Sequence, residues 1–370
     1  ILICIFMMVV VAISYWYMKI TTDVQEEQVE KKWRLRDNLF GMSFSDEKNG
    51  WAVGQYGTIL HTTDGGLKWN YQQSGVMNDL MSIHALSSEA AWIVGVDGLV
   101  LHTTDSGKSW QRVKTGMRYR FNDIQFLNPQ NGWIVGEYEI ILHSIDGGVT
   151  WQTMHGGEPA EIDFSKVKEG ELVKDDFGSE EEVYTLNSVF FVNPQTGWAA
   201  GEAGTILSTT DGGKTWSRQQ SGSKNTLTKV EFYDSQFGFA VGPDSTIIKS
   251  VVGGKTWTKE VPSEKTHYFG VTFRRFGPDT LRQDAFAVGQ GIIAYYSFLK
   301  AAALQNWMPA AQMKYNIAYN WLYQISFIDK VGEEALAVGD SGLILRSPSG
   351  GHEWDIVWYP EKNVEQIINP

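Results

Sequence analysis

The chain alternates short apolar runs with glycine-rich polar turns. Leu39-Phe40-Gly41-Met42-Ser43-Phe44 places apolar residues at alternating positions, and Trp51-Ala52-Val53 follows as a compact apolar block. Thr58-Ile59-Leu60-His61-Thr62 comes next, and a fourth run opens at Trp69-Asn70-Tyr71-Gln72. Runs this short, rich in β-branched and aromatic residues and separated by Asn-Gly and Gly-Gly pairs, predict strands joined by tight turns. The middle runs have little polar interruption, as expected for sheets buried on both faces.

The same four runs return down the chain. Gly50-Trp51-Ala52-Val53-Gly54 recurs as Ala91-Trp92-Ile93-Val94-Gly95, Gly132-Trp133-Ile134-Val135-Gly136 and Gly197-Trp198-Ala199-Ala200-Gly201. Trp51, Trp92 and Trp133 follow one another at intervals of 41 residues. A period of ~40–45 residues built from strands predicts a β-propeller with one blade per repeat. Weaker repeats at Gly238-Phe239-Ala240-Val241-Gly242, Ala285-Phe286-Ala287-Val288-Gly289 and Ala335-Leu336-Ala337-Val338-Gly339 bring the count to seven. The expected fold is all-β, a seven-bladed propeller over residues 33–360. Trp33-Arg34-Leu35-Arg36 resembles an outer strand and is expected to close the ring on the last blade.

Each strong repeat also carries Thr-Thr-Asp-x-Gly, or Ser-Ile-Asp-Gly-Gly in the third, ahead of a tryptophan. The pairs are Asp64 with Trp69, Asp105 with Trp110, Asp146 with Trp151 and Asp211 with Trp216. The phrase resembles the Asp-box hairpin. Its carboxylate accepts turn N–H groups, its glycines supply positive φ, and its tryptophan covers the turn. These residues are expected to be structural. Valine replaces the aspartate in the fifth repeat and serine in the seventh, and the sixth keeps only Asn306-Trp307.

Ahead of the propeller, residues 1–20 are almost wholly apolar, with Tyr15, Trp16 and Tyr17 clustered at one end. The length suits the ~17–25 residues of a spanning helix, and aromatic belts sit at membrane interfaces. No small-x-small cleavage site follows, so a retained N-terminal transmembrane helix is expected rather than a removed signal peptide. Residues 21–32 would form a juxtamembrane linker and 361–370 a C-terminal tail. The expected location is the inner (cytoplasmic) membrane, single-pass, with the propeller in the periplasm or lumen. The net charge of −12 argues against a nucleic-acid partner. Cys4 is the single cysteine, so no disulfide framework is expected.

Departures from the repeat are the places to look for function. An insertion at 156–185 separates blades three and four and holds ten acidic residues against three lysines between Glu158 and Glu182. Asp175, Asp176, Glu180, Glu181 and Glu182 are its densest part. In a four-stranded blade, the link to the next blade emerges on the same side as the turn between strands two and three. Those turns carry Asp97, Glu137, Glu139, Glu202, Asp244 and Asp340. An acidic face steering toward a basic partner follows. The acids at 175–180 lack the ligand spacing of an EF-hand loop, and no metal or cofactor is expected. A second departure surrounds blade six, where Trp307, Met308, Tyr315 and Tyr319 crowd a segment outside the blade pattern. Aromatic and methionine side chains of this kind suit a protein interface.

Asp-boxes also decorate sialidases, which need three convergent arginines and a Tyr/Glu pair. Phe273-Arg274-Arg275-Phe276 keeps only part of that family's arginine motif, and Arg118 and Arg120 have no spaced third partner. His61, His102 and His143 recur with the repeat and are explained by it. No catalytic residue is assigned, and the chain is expected not to be an enzyme.

The full phrase at 50–69, Gly-Trp-Ala-Val-Gly-x-x-Gly-Thr-Ile-Leu-x-Thr-Thr-Asp-Gly-Gly-x-x-Trp, is more specific than an Asp-box. It resembles the photosystem II stability/assembly factor family of plastids and cyanobacteria and its bacterial relatives. The likeness runs from residue 33 to about 359 and is strongest in blades one to four. It implies a non-enzymatic propeller that attaches to membrane-protein intermediates or subunits. The photosynthetic members carry an arginine-rich patch that this acidic chain does not obviously reproduce. Relatives in non-photosynthetic bacteria are often associated with resistance-nodulation-division type transporters. The expectation is therefore an anchored accessory or assembly subunit on an integral membrane complex, with such a transporter as first candidate. A photosystem II-type assembly factor and a glycan-binding or sialidase-like protein are the alternatives.

Overall fold

The computed structural model describes residues 37–157, 183–275, 282–299, 307–310 and 320–358. Among them, 28 strands form seven four-stranded antiparallel sheets, each built from four consecutive strands. Blade one comprises Leu39–Phe44, Gly50–Gly54, Ile59–Thr62 and Asn70–Gln72. The chain is a seven-bladed β-propeller.

Its core lies between blades rather than within them. Seven apolar clusters each join two neighbours, as where Trp51, Val53 and Ile59 of blade one meet Leu80, Ile83 and Ile93 of blade two. The second-strand tryptophans Trp51, Trp92, Trp133 and Trp198 are at most 2 % exposed. Trp133 stacks on Phe191 of the next blade at 3.8 Å, and Phe191 meets Trp216 edge-on at 5.7 Å. Trp198, Phe232 and Trp257 repeat this at 3.5 and 5.6 Å. On the other side, Trp51, Trp92 and Trp133 stack on His61, His102 and His143. Burial pushes the pKa of each of these histidines down, so they act as neutral packing groups.

The Asp-box hairpin turns out to be an inter-blade device. Asp211 Oδ1 accepts the N–H of Thr215, Thr209 Oγ1 donates to the same oxygen, and Thr209 Oγ1 accepts the N–H of Gly213. Gly213 has φ +85°, and a Cβ there would lie 2.8 Å from Trp133 Nε1 of the preceding blade. Only glycine lets the turn seat on that ring. Blade seven holds Glu353 N–H with Ser349 Oγ in place of the carboxylate. Blade five keeps the bonds of Ser250 Oγ to the N–H groups of Val252 and Gly254.

Asp105, Asp146 and Asp211 are held at about 2 by these bonds, first those from the hydroxyls of Ser109, Thr150 and Thr215. A depressed folded-state pKa stabilises fully above the unfolded value of 3.8 and is lost as pH falls through about 2. The denaturant midpoint should therefore drop between pH 4 and pH 2. Replacing all three aspartates by asparagine should flatten that limb, and an unchanged pH profile in the triple variant would remove the boxes from acid unfolding.

The last blade has four strands of its own among the described residues. The outer strand of blade seven is Asp355–Trp358, so that blade is complete without help from the N-terminal side. Trp33–Arg36 lies outside the described residues. The seam to blade one is made by side chains. Gln324 donates to the carbonyl of Met42 and accepts its N–H, both at 2.8 Å. Leu336 packs beneath Gly66, and Trp358 meets Tyr71 at 6.2 Å. Among the described residues no helix is long and apolar enough to cross a membrane, and the expected span at 1–20 lies outside them.

Candidate functional site

Backbone hydrogen bonds bring the turns between strands two and three together with the links between blades. Gln55 N–H donates to Asn38, Val96 to Asp79, Glu137 to Arg120, Glu202 to Thr185 and Asp340 to Trp321. Each acceptor lies just ahead of the inner strand of the same blade. The ends of the insertion reach this face too, since Gly157 N–H bonds to Tyr138 and Glu139 N–H to Tyr184. The densest acids of the insertion, Asp175, Asp176, Glu180, Glu181 and Glu182, lie outside the described residues.

The rim carboxylates are not equivalent. Glu137 and Glu202 cap the incoming chain, accepting the N–H of Arg120 at 2.8 Å and of Thr185 at 3.1 Å. Asp97 and Asp244 are exposed, with Asn78 and His267 beside them. Glu139 departs from the expected exposed rim, being only 5 % exposed. It occupies the third turn position, where blades one, four and seven have glycine, and takes φ +53°. Its carboxylate meets Arg218, His155 and Tyr184 N–H. Burial raises its pKa, but the bonds from His155 and Arg218 outweigh that and lower it overall. Asp340 is half-buried, bonded to Asn320 Nδ2 at 3.2 Å, and burial raises its pKa.

The blade-six candidates separate. Trp307 is 1 % exposed and packs on Phe239 of blade five at 5.0 Å and on Tyr296 at 5.5 Å. It is a core residue rather than a contact residue, because it fills the place of the closing tryptophan where the Asp-box is missing. Met308 is 45 % exposed. Tyr315 and Tyr319 lie outside the described residues.

The mouth of the ring on this face carries a feature that the repeat reading missed. The position after the leading apolar residue of the inner-strand segment holds Met81 in blade two, and in blades three to five it holds Asn122, Asn187 and Thr228, the last just ahead of its strand. These last three bridge to the next blade through the carbonyls of Leu186, Leu227 and Tyr268. In blades six, seven and one the same position holds Phe269, Tyr323 and Phe40. Phe269 lies 5.6 Å from Tyr323, and Tyr323 lies 5.5 Å from Phe40. Trp321 stacks on Phe269 at 5.3 Å and is 39 % exposed. Three of the seven positions at the mouth are thus polar and self-satisfied, three form an aromatic arc, and Met81 stands between the two sets. Aligning the inner strands position by position would have exposed the switch.

Below the mouth, an axial cavity of about 300 Å³ is lined by inner-strand side chains of all seven blades. Asp123 of blade three is its polar centre, 5 % exposed. It accepts Ser82 Oγ of blade two, Val189 N–H of blade four and Lys229 Nζ of blade five, at 2.8, 3.1 and 2.8 Å. His84 beside it is lowered to about 4 by desolvation. Arg274 and Arg275, weighed for carboxylate binding, are both engaged, Arg275 at the cavity wall 4.0 Å from Glu231. Arg274 bonds to the Gly332 carbonyl beside Asp284, and Arg275 to the carbonyls of Phe232 and Tyr233. Among the described residues no three His, Cys, Asp or Glu side chains converge to hold a metal ion.

The family described as photosynthesis system II assembly factor YCF48 matches residues 21–119, 116–224 and 155–251. The chain belongs to this family. The YCF48 match spans the blades with intact Asp-boxes and stops within the box of blade five. The fold of the YCF48 proteins runs further. A structure titled "YCF48 bound to D1 peptide" is 18 % identical, with a TM-score of 0.62, 84 % of this chain covered and 93 % of that one. YCF48 from Cyanidioschyzon merolae gives the same identity, TM-score and coverage of this chain, with 95 % of its own length covered. A Niastella koreensis GH74 enzyme is 13 % identical with a TM-score of 0.60, covering 86 % of this chain and 54 % of that one. At such identities the likenesses speak for the fold alone. No curated protein matches the sequence. Within the YCF48 framework, Phe269, Trp321 and Tyr323 stand in the blades beyond the matched ranges.

Proposed function

We propose that this protein is a non-enzymatic scaffold of the assembly-factor type, whose propeller docks on a segment of an integral membrane protein complex. The observation that carries this reading is the family match over residues 21–251. A structural relative of the same fold is described with a peptide bound, which favours an assembly or stability factor over a permanent transporter subunit. The face that gathers the turns, the links and the ends of the insertion suits docking. It combines exposed carboxylates at Asp97 and Asp244 with an aromatic mouth. This reading assigns no chemistry to Arg274 and Arg275, which hold backbone carbonyls and stand beside Asp284 and Glu231. The apolar residues 1–20 would tether the propeller on the extracytoplasmic side, raising its effective concentration at the client.

The test is purification of the full-length protein in mild detergent, with mass spectrometry of what remains bound. A stoichiometric multi-pass membrane protein is expected. Asp97→Asn with Asp244→Asn should slow its association severalfold and weaken the salt dependence, because rim charges act chiefly on the encounter. Asparagine tolerates the left-handed backbone at both positions. A partnerless protein, or capture that ignores both substitutions, would refute the docking face. Recovery in the soluble fraction without detergent would refute the tether.

A further inference from the structure

We propose that the aromatic arc is the seat of an arginine side chain carried by the client segment. This rests on the docking reading above and names the chemistry of its central contact. Trp321 offers an indole ring with one face stacked on Phe269 at 5.3 Å, and 39 % of the residue remains exposed. Tyr323 and Phe40 continue the apolar floor toward the axis. Asp340 sits beside this floor, its backbone N–H donating to the Trp321 carbonyl at 2.9 Å. Its carboxylate accepts from neutral donors, the Asn320 amide at 3.2 Å and the Trp321 backbone N–H. A half-buried carboxylate beside an exposed indole is completed by a cation.

Charge decides the class. Among the described residues, the link and turn positions nearest the arc, 37–38, 55–57, 266–267, 290–291, 320–321 and 340–342, hold no lysine or arginine, and Lys265 stands one residue further along the link to blade six. Asp37, His267 and Asp340 are there instead. An acidic segment would meet repulsion, and an apolar one would bring the Asp340 carboxylate no charge partner beyond the neutral donors it already has. Arginine fits better than lysine. Its guanidinium is planar, stacks on an indole face and presents a fork of donors to a carboxylate at the ring's edge. The three polar positions of the mouth offer nothing comparable, because Asn122, Asn187 and Thr228 are consumed by inter-blade bonds.

The experiment measures anisotropy of a labelled peptide with two arginines separated by glycine, against citrulline and glutamate counterparts. The full-length protein should bind the arginine peptide, bind the citrulline peptide at least about fivefold more weakly, and ignore the glutamate peptide. Trp321→Ala and Asp340→Asn should each weaken binding about fivefold or more, whereas Glu353→Gln on the opposite face should not. Trp321→Phe keeps a ring and should lie between, which guards against a folding defect in the alanine variant. Undiminished binding in Trp321→Ala, equal binding of all three peptides, or no binding of the arginine peptide would overturn the inference. Client capture by mild-detergent purification is a separate readout. Capture that persists in Trp321→Ala and Asp340→Asn keeps the scaffold reading and removes the arginine seat.

Discussion

Trp133→Ala is expected to cost about 3–5 kcal/mol, among the largest losses open to a single substitution here. Trp133 is 1 % exposed and belongs to two blades at once. It stacks on His143 of its own blade at 4.6 Å and on Phe191 of the next at 3.8 Å. Its Nε1 donates to the Gly212 carbonyl in the next blade's Asp-box at 3.3 Å. Truncation opens a cavity at the interface and leaves that turn without its seat. Trp133→Phe should cost far less, because blade six already places Phe286 under Gly351, and blade seven Leu336 under Gly66. Thermal unfolding of the three proteins checks this. Equal melting temperatures for wild type and Trp133→Ala would mean that the blades do not depend on their shared rings. Asp211→Ala, which loses hydrogen bonds on the exposed side of the same turn, should fall well short of Trp133→Ala.

The contrast explains what could be read from the sequence. Repeats report packing, and the blade interface recurs with every repeat. Trp51, Trp92, Trp133 and Trp198 therefore announced the fold. The Asp-box gave its local bonds away but not its seat on the preceding blade, since that contact joins residues 79 apart in Trp133 and Gly212. Asp355–Trp358 supplies a fourth strand to blade seven, and the part expected of Trp33–Arg36 lies outside the described residues. Trp307 looked like a departure because its box was gone, yet its aromatic surface still had a core place to fill. Glu139 looked like a rim acid because its neighbours in the turn are. Only the backbone shows it in a glycine position, its carboxylate turned onto Arg218 and His155. The aromatic arc was legible in principle, but it is a change at one inner-strand position, and the inner strands are the least repetitive part of each blade.

The axial carboxylate is the second site where a large effect is expected, and no repeat marks it. Asp123→Ala should destabilise by about 3–5 kcal/mol, because it strands the Lys229 ammonium in the cavity and frees Ser82 Oγ and Val189 N–H. Lys229→Met should cost less, about 1–3 kcal/mol. Lysine is the more exposed partner, with 25 % of its side chain accessible against 8 % for Asp123, so solvent already screens part of the pair. Asp123 would also keep its bonds from Ser82, Val189 and its own neighbour Ile124. The double variant should be little worse than Asp123→Ala alone, because methionine no longer buries a charge that needs a partner. A coupling of roughly 1–2 kcal/mol in this cycle is the expected result. Strict additivity would show that Asp123 and Lys229 act separately. Coupling would show that one carboxylate ties blades two, three, four and five together at the axis, while the rings tie each neighbouring pair further out.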